Sequence, residues 1–294
     1  MDRILFGDNQ FFGVNHMSEE KARAQSMRFK YTQSMIEVLD DAYSLGLRTF
    51  MCTTHDQIAE IAARIGAEPD RYRDFVFYPG MPYAHKYANA VTELGVLETL
   101  KQYAPGGVVQ TLVVGARSAL RKDTEQLMRM LVDAELKSFA GVRTPVVFLQ
   151  NIVTDLLLGL GMQDLFRAFH DYVGERYGAE AGFFTMNMPR AVRALHAVGV
   201  ANPIVCCSYN KIGFRMSGGI ELYDHTLANE EFRCIAMSVL ASGAIPAEEA
   251  IQWICERPRI TSIVFGASSR GNIAQTIGLI NSYSRLDRTT TTHR

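Results

Sequence analysis

Cys52, Thr53, Thr54, His55 and Asp56 form a compact polar run directly after a strand-like stretch, Arg48–Cys52. An imidazole titrates near neutral pH without help, and an adjacent carboxylate can raise its pKa and hold the ring in one orientation. His55 and Asp56 therefore have the types and spacing of a proton-transfer pair. The same two residues admit a structural reading, with Asp56 as the N-cap of the next helix and His55 exposed beside it. Tyr78 and Tyr83 offer phenols, and His85 and Lys86 offer cations that would lower a phenol's pKa, or else simply a solvated loop. Cys52 is a nucleophile if His55 stabilises its thiolate, and otherwise a packed strand cysteine. His16, His55, His85 and Asp56 are divalent-metal ligand types, but no HxH or HxxxH spacing pairs them, and no metal site is expected.

A second constellation lies near the C-terminus. The run Ile260–Phe265 breaks at Gly266 into a turn, Ala267 to Asn272, that opens a helix from Ile273 to Ser282. Free backbone N–H groups and the helix dipole make such a turn an anion cradle, here with Ser268, Ser269, Arg270 and Asn272. Asn187 and Tyr209 each follow a strand-like run, as do Asn9, Gln10 and Gln150.

Eight buried strand patterns position these residues: Arg3–Gly7, Arg48–Cys52, Phe75–Tyr78, Pro145–Leu149, Ala181–Thr185, Pro203–Cys207, Phe232–Leu240 and Ile260–Phe265. Helical periodicity falls between them, over Thr32–Leu45 (with Thr32 able to cap it), Gln57–Ile65, Leu156–Tyr177, Pro189–Val198 and Ile245–Glu256. Residues 87–139 read mostly as helices, with Val108–Val114 a strand alternative. Lys211–Glu231, with Gly213, Gly218 and Gly219, reads as a long loop over the site. Eight βα units predict an α/β fold, a single (β/α)8 TIM barrel over residues 1–288, with extra helices after strand 3, a long loop after strand 6 and a disordered tail over 289–294. Function in that architecture gathers beyond the C-terminal strand ends, where all these polar residues fall.

Composition narrows the class. With 294 residues, 48% hydrophobic, 21% charged and a formal net charge of −1, the chain gives no reason to expect nucleic-acid or anionic-membrane binding. No apolar run reaches a membrane span, Met1–Ile4 lacks a signal-peptide core, and the five cysteines form no disulfide framework. A cytoplasmic enzyme acting on a small molecule is expected.

Ala236–Gly243 (containing Ser238), the proline-initiated helix with Trp253, and Ile263–Ser269 (containing Gly266) together resemble the end of an aldo/keto reductase. Asp40–Thr53 and Gly182–Gly199 are similar to that family to a lesser degree. The resemblance implies NADP as cofactor, with its phosphates on the two C-terminal segments, Tyr209 stacked on the nicotinamide and Asn187 on its carboxamide. The family's catalytic tetrad is not retained. Its aspartate position holds Met51 or Cys52, its tyrosine position Asp56, its lysine position falls in Tyr78–Gly80, and its histidine position is Gln150. Two enzyme readings follow: an NADP-dependent oxidoreductase with a relocated proton donor, or a lyase or isomerase holding a phosphorylated substrate in the old cofactor-phosphate site. In either, His55, Asp56, Tyr83 and Lys86 are the catalytic candidates. A catalytically inactive binding barrel is a third reading, opposed by the density of polar groups at the strand ends.

Overall fold

Eight parallel strands close on themselves in sequence order: β1 Ile4–Gly7, β2 Thr49–Thr53, β3 Val76–Met81, β4 Val146–Leu149, β5 Glu180–Thr185, β6 Ile204–Ser208, β7 Arg233–Met237 and β8 Ile260–Phe265. The structure is a computed structural model and describes residues 1–13, 19–83 and 117–290. β8 returns to β1 through the register Ile4–Ile263, Leu5–Val264 and Phe6–Phe265, which completes the (β/α)8 barrel.

The strand sequences form these elements because their alternation serves two apolar surfaces. Leu5, Met51, Val76, Tyr78, Val146, Phe148, Ile204, Cys206 and Ile235 pack inside the barrel. Their neighbours, such as Phe6, Phe50, Phe77, Val147, Val205 and Cys207, belong to the layer between sheet and helices. Buried on both faces, a parallel strand reads as a continuous apolar run. Inside the barrel, the Phe148 ring lies over Gly182, where a Cβ would come within 2.3 Å of it.

The helices are α1 Glu19–Arg28, α2 Thr32–Ser44, α3 Asp56–Gly66, α4 Arg117–Leu136, α5 Asn151–Leu160, α6 Asp164–Tyr177, α7 Met188–Ala197, α8 Gly219–Asn229, α9 Ala247–Cys255 and α10 Arg270–Thr290. Three expectations are corrected. The helix expected over Leu156–Tyr177 is two helices, because Gly161 closes α5 in the left-handed region at φ 69° and the chain restarts at Asp164. The expected loop Lys211–Glu231 contains α8, whose buried face is Tyr223, Thr226 and Leu227. Thr32 does not cap α2: Tyr31 is the N-cap residue, and the Thr32 hydroxyl bonds Glu60 instead. α10 continues to Thr290, past the expected boundary at 288, and the remainder of the tail lies outside the described residues, as do His16, His85, Lys86 and Val108–Val114. Among the described residues no helix is long and apolar enough to cross a membrane.

Candidate active site

β1 ends at Gly7, and the next side chain, Asp8, turns across the barrel rim to the end of β2. One of its carboxylate oxygens, Oδ2, accepts from the Thr53 backbone N–H at 2.7 Å and from the Thr53 hydroxyl at 2.8 Å. Asp8 is 6% exposed, and burial pushes its carboxyl up to about 6, against the opposing pull of the Thr53 hydrogen bonds. Neighbouring groups feel this carboxylate. Cys52 beside it is fully buried, and desolvation, then the Asp8 charge, hold its thiol well above the ordinary range. Of the two readings of Cys52, these surroundings favour the packed strand cysteine in the layer between sheet and helices.

His55 is the N-cap residue of α3 and accepts the Gln57 N–H on Nδ1 at 3.1 Å. The cap is thus His55 and not Asp56, which is the first helical residue. With Nδ1 occupied as an acceptor, the ring proton belongs on Nε2. The imidazole lies 4.4 Å from the Phe12 ring and meets the edge of Tyr83 at 5.2 Å, so the segments after β1, β2 and β3 meet at this ring. Burial, then the charges of Asp8 and Asp56, push the Tyr83 phenol up, which makes it a weaker acid than a free tyrosine. Tyr78 points into the barrel. Burial raises its phenol to about 12, and it senses Asp2, Glu180 and Arg233. Glu180 begins β5, so Tyr78 faces the N-terminal rim and cannot act as the donor at the opposite mouth.

The rim continues through two buried polar atoms that have no partner among the described residues, Gln10 Oε1 and Thr54 Oγ1. Gln10 donates to the Gly7 carbonyl at 2.8 Å, and its amide oxygen lies so close to Gly266 that a Cβ there would be 1.9 Å away. Gln10 therefore ties the Asp8 side of the mouth to the turn after β8. In that turn, the Ser269 hydroxyl accepts from the Asn272 N–H at 3.4 Å. Arg270 reaches sideways to α2, where it donates to Asp41 at 3.0 Å and to Ser44 at 2.6 Å. Ser268 and Asn272 remain on this open turn. Ser238, directly after β7, has φ 55° and accepts from the Ser208 hydroxyl at 3.3 Å across the mouth.

No protein-family model matches the chain, and no curated protein does either. Solved structures do. A Pseudomonas aeruginosa protein assigned to the aldo-keto reductases superposes with a TM-score of 0.60 at 13% identity, over 96% of this chain and 90% of its own. A protein assigned as a 2,5-diketo-D-gluconic acid reductase B gives 0.53 at 11% identity, over 94% and 81%. A variant of Gox0644 in complex with NADPH gives 0.52 at 11% identity, over 95% and 83%. The fold is that of the aldo/keto reductases.

The positions that the resemblance matched to the tetrad have the following surroundings. Gly80, in the stretch where the family's lysine falls, has no room for a side chain: a Cβ would meet the Phe184 ring at 2.7 Å and the Gln150 amide nitrogen at 3.1 Å. Gln150, in the histidine position, donates to the Gly80 carbonyl at 3.3 Å. The family's aspartate ends strand two. Here the carboxylate at the end of β2 is that of Asp8, bonded to Thr53.

Two expectations drawn from the resemblance meet different fates. Asn187 is the N-cap residue of α7 and accepts the Arg190 N–H at 3.4 Å, an arrangement that leaves its amide NH2 to other partners. Tyr209 does not present a face to the mouth. Strand alternation puts Cys206 inside and Cys207 outside. Tyr209 therefore points outward, is fully buried, and donates from its hydroxyl to Asp224 at 2.5 Å. Asp224 is paired with Arg257 at 2.9 Å, and the guanidinium lies 3.4 Å over Trp253. That network locks α8 to α9. Among the described residues no group of three or more His, Cys, Asp or Glu side chains is placed to hold a metal. Sequence reasoning placed Asp8 and Thr53 in the polar runs beyond β1 and β2 but gave neither a role, although an acidic residue one position past a barrel strand is the usable signal.

Proposed function

We propose that this chain is a small-molecule enzyme, an NADP-dependent oxidoreductase whose proton donor is not the family's tyrosine–lysine pair. The observation that carries the reading is Gln10. Its side chain joins a mouth holding Asp8, Thr53, His55 and Tyr83 to the β8–α10 turn, so an acid/base cluster and an anion cradle flank one opening.

Part of the site suits the cofactor. Gln10 Oε1 is a buried acceptor in need of a donor, and a carboxamide NH2 or a ribose hydroxyl would supply one. Ser268, Ser269, Asn272 and Arg270 (on leaving Asp41) would hold the phosphates, with Gly266 required small beneath them. Asn187 remains the residue proposed for the carboxamide. NADPH, when bound, supplies a hydride, and the chain's own groups supply the proton and exclude water. Tyr209 takes no part. That absence favours a second reading, in which the turn holds the phosphate of a substrate and the mouth cluster moves protons in a lyase or isomerase reaction.

Titration calorimetry with NADPH and with 2′,5′-ADP tests the first reading, and inorganic phosphate or a small sugar phosphate tests the second. NADPH binding that depends on Ser269 and Arg270 supports the oxidoreductase. Affinity for the sugar phosphate alone moves the chain to the second reading. Binding of none of them removes both.

A further inference from the structure

We propose that Asp8 is the catalytic acid/base of this barrel, with Thr53 as the residue that positions it. Asp8 takes this role only if the mouth is the enzyme centre already proposed, whichever cofactor or phosphate occupies the turn.

Among the described residues, the geometry singles it out from the four other ionisable groups of the mouth. Cys52 is sealed behind it and stays a thiol. His55 spends Nδ1 on the Gln57 N–H, so taking up a proton there would break the α3 cap. Tyr83 has been made a weaker acid by burial and by Asp8 and Asp56. Asp56, the first residue of α3, is exposed to water. Among the described residues, Asp8 is a buried carboxyl just past a strand's C-terminal end, and Thr53 holds it through one of its two oxygens. Both Thr53 bonds fall on Oδ2, so Oδ1, the oxygen that Thr53 does not touch, is the one assigned to carry the proton. Its ionisation near 6 gives comparable amounts of acid and base just below neutral pH, which suits transfer in either direction. Gln10 and Thr54, on the segments that follow β1 and β2, each carry a buried atom without a partner among the described residues, open to a substrate's polar groups.

In the reducing direction, the Oδ1–H bond breaks as an O–H bond forms on the substrate oxygen. The bonding electrons stay on the carboxylate, and water later returns the proton. In the lyase or isomerase reading the carboxylate instead takes a proton from the carbon next to a carbonyl. The electron pair of that C–H bond moves to the carbonyl oxygen as an enolate, and the proton is handed back or exchanged with solvent.

Two assays read this on the full chain. One follows NADPH oxidation at 340 nm with a panel of small aldehydes and ketones. The other follows α-proton exchange of the same carbonyls in D2O by 1H NMR with no cofactor present. In whichever assay the wild type is active, Asp8→Asn should lower the rate by about 100-fold or more and abolish a pH dependence centred near 6. Thr53→Val removes a hydrogen bond to the charged form and should move that midpoint upward by roughly 1 pH unit. Carboxyl-labelled aspartate NMR of the wild type reads the same group without turnover. NADPH oxidation that survives Asp8→Asn overturns the assignment and leaves the oxidoreductase intact. Exchange that needs Asp8 in a protein that ignores NADPH does the reverse. A wild type inactive in both assays, or an Asp8 carboxyl titrating below pH 5, overturns the role of Asp8.

Discussion

Thr53 donates both its backbone N–H and its hydroxyl to a single oxygen of Asp8, at 2.7 and 2.8 Å. Two donors on a buried carboxylate would normally hold it ionised well into acid. That the carboxyl nonetheless rises to about 6 shows desolvation outweighing both bonds. The site keeps an aspartate in an environment that resists its charge.

The first prediction follows from that resistance. An ordinary aspartate ionises near 3.8, so folding favours the protonated form of Asp8. Its stabilising effect is complete below about pH 3.8 and is lost as pH rises through about 6. At pH 8 the ionised carboxylate costs about 3 kcal/mol of stability, the free energy of moving its ionisation from near 3.8 to about 6. Asp8→Asn stays neutral throughout, so its Tm should exceed that of the wild type above pH 7, with the gap closing below pH 4. A pH-independent offset would show that burial does not control this carboxyl.

A second prediction concerns His55. His55→Ala should lower stability by about 1 kcal/mol through loss of the α3 cap, and His55→Asn should recover most of it because asparagine caps as well. Chemical denaturation of the two variants checks this. Equal losses would mean that the Phe12 and Tyr83 contacts, and not the cap, hold the segment.

Tyr209 gives the sharpest contrast with a cofactor-stacking role. Tyr209→Phe leaves Asp224 short of one hydrogen bond in a half-buried network and should cost about 1–2 kcal/mol. Calorimetric affinity for NADPH should not change. Weakened binding with unaltered Tm would return the ring to the mouth.

Arg270→Ala removes a pair that is mostly solvent-exposed, with side chains 55% and 39% accessible, so Tm should move little. Affinity for 2′,5′-ADP should fall by about 10- to 100-fold, the range of one charge-assisted bond to phosphate of roughly 1.5–3 kcal/mol. Undiminished affinity would show that the arginine never leaves Asp41.

The barrel was legible because each strand is a short apolar run closed by a polar residue, a pattern that survives without any knowledge of partners. The misread stretches lacked a local marker of that kind. Gly161 splits a helix whose apolar periodicity continues on both sides of it, and α8 is hidden among glycines that suggest a loop. Tyr209 was placed by likeness to a family, whereas the in–out alternation through Cys206 and Cys207 already sends it outward. Asp8 looks in sequence like any turn aspartate. What distinguishes it is Thr53, a residue 45 positions away that only closure of the barrel brings beside it.

Gly80 carries a consequence for descent. Its missing side chain is enforced from two directions, by the Phe184 ring and the Gln150 amide, and each of those is held in turn by what surrounds it. Introducing a lysine at that level of the barrel requires the Phe184 ring to shift and the Gln150 amide to give way. Laboratory evolution toward ordinary carbonyl reduction would therefore need to randomise the three positions together, since a walk by single substitutions starts against a wall.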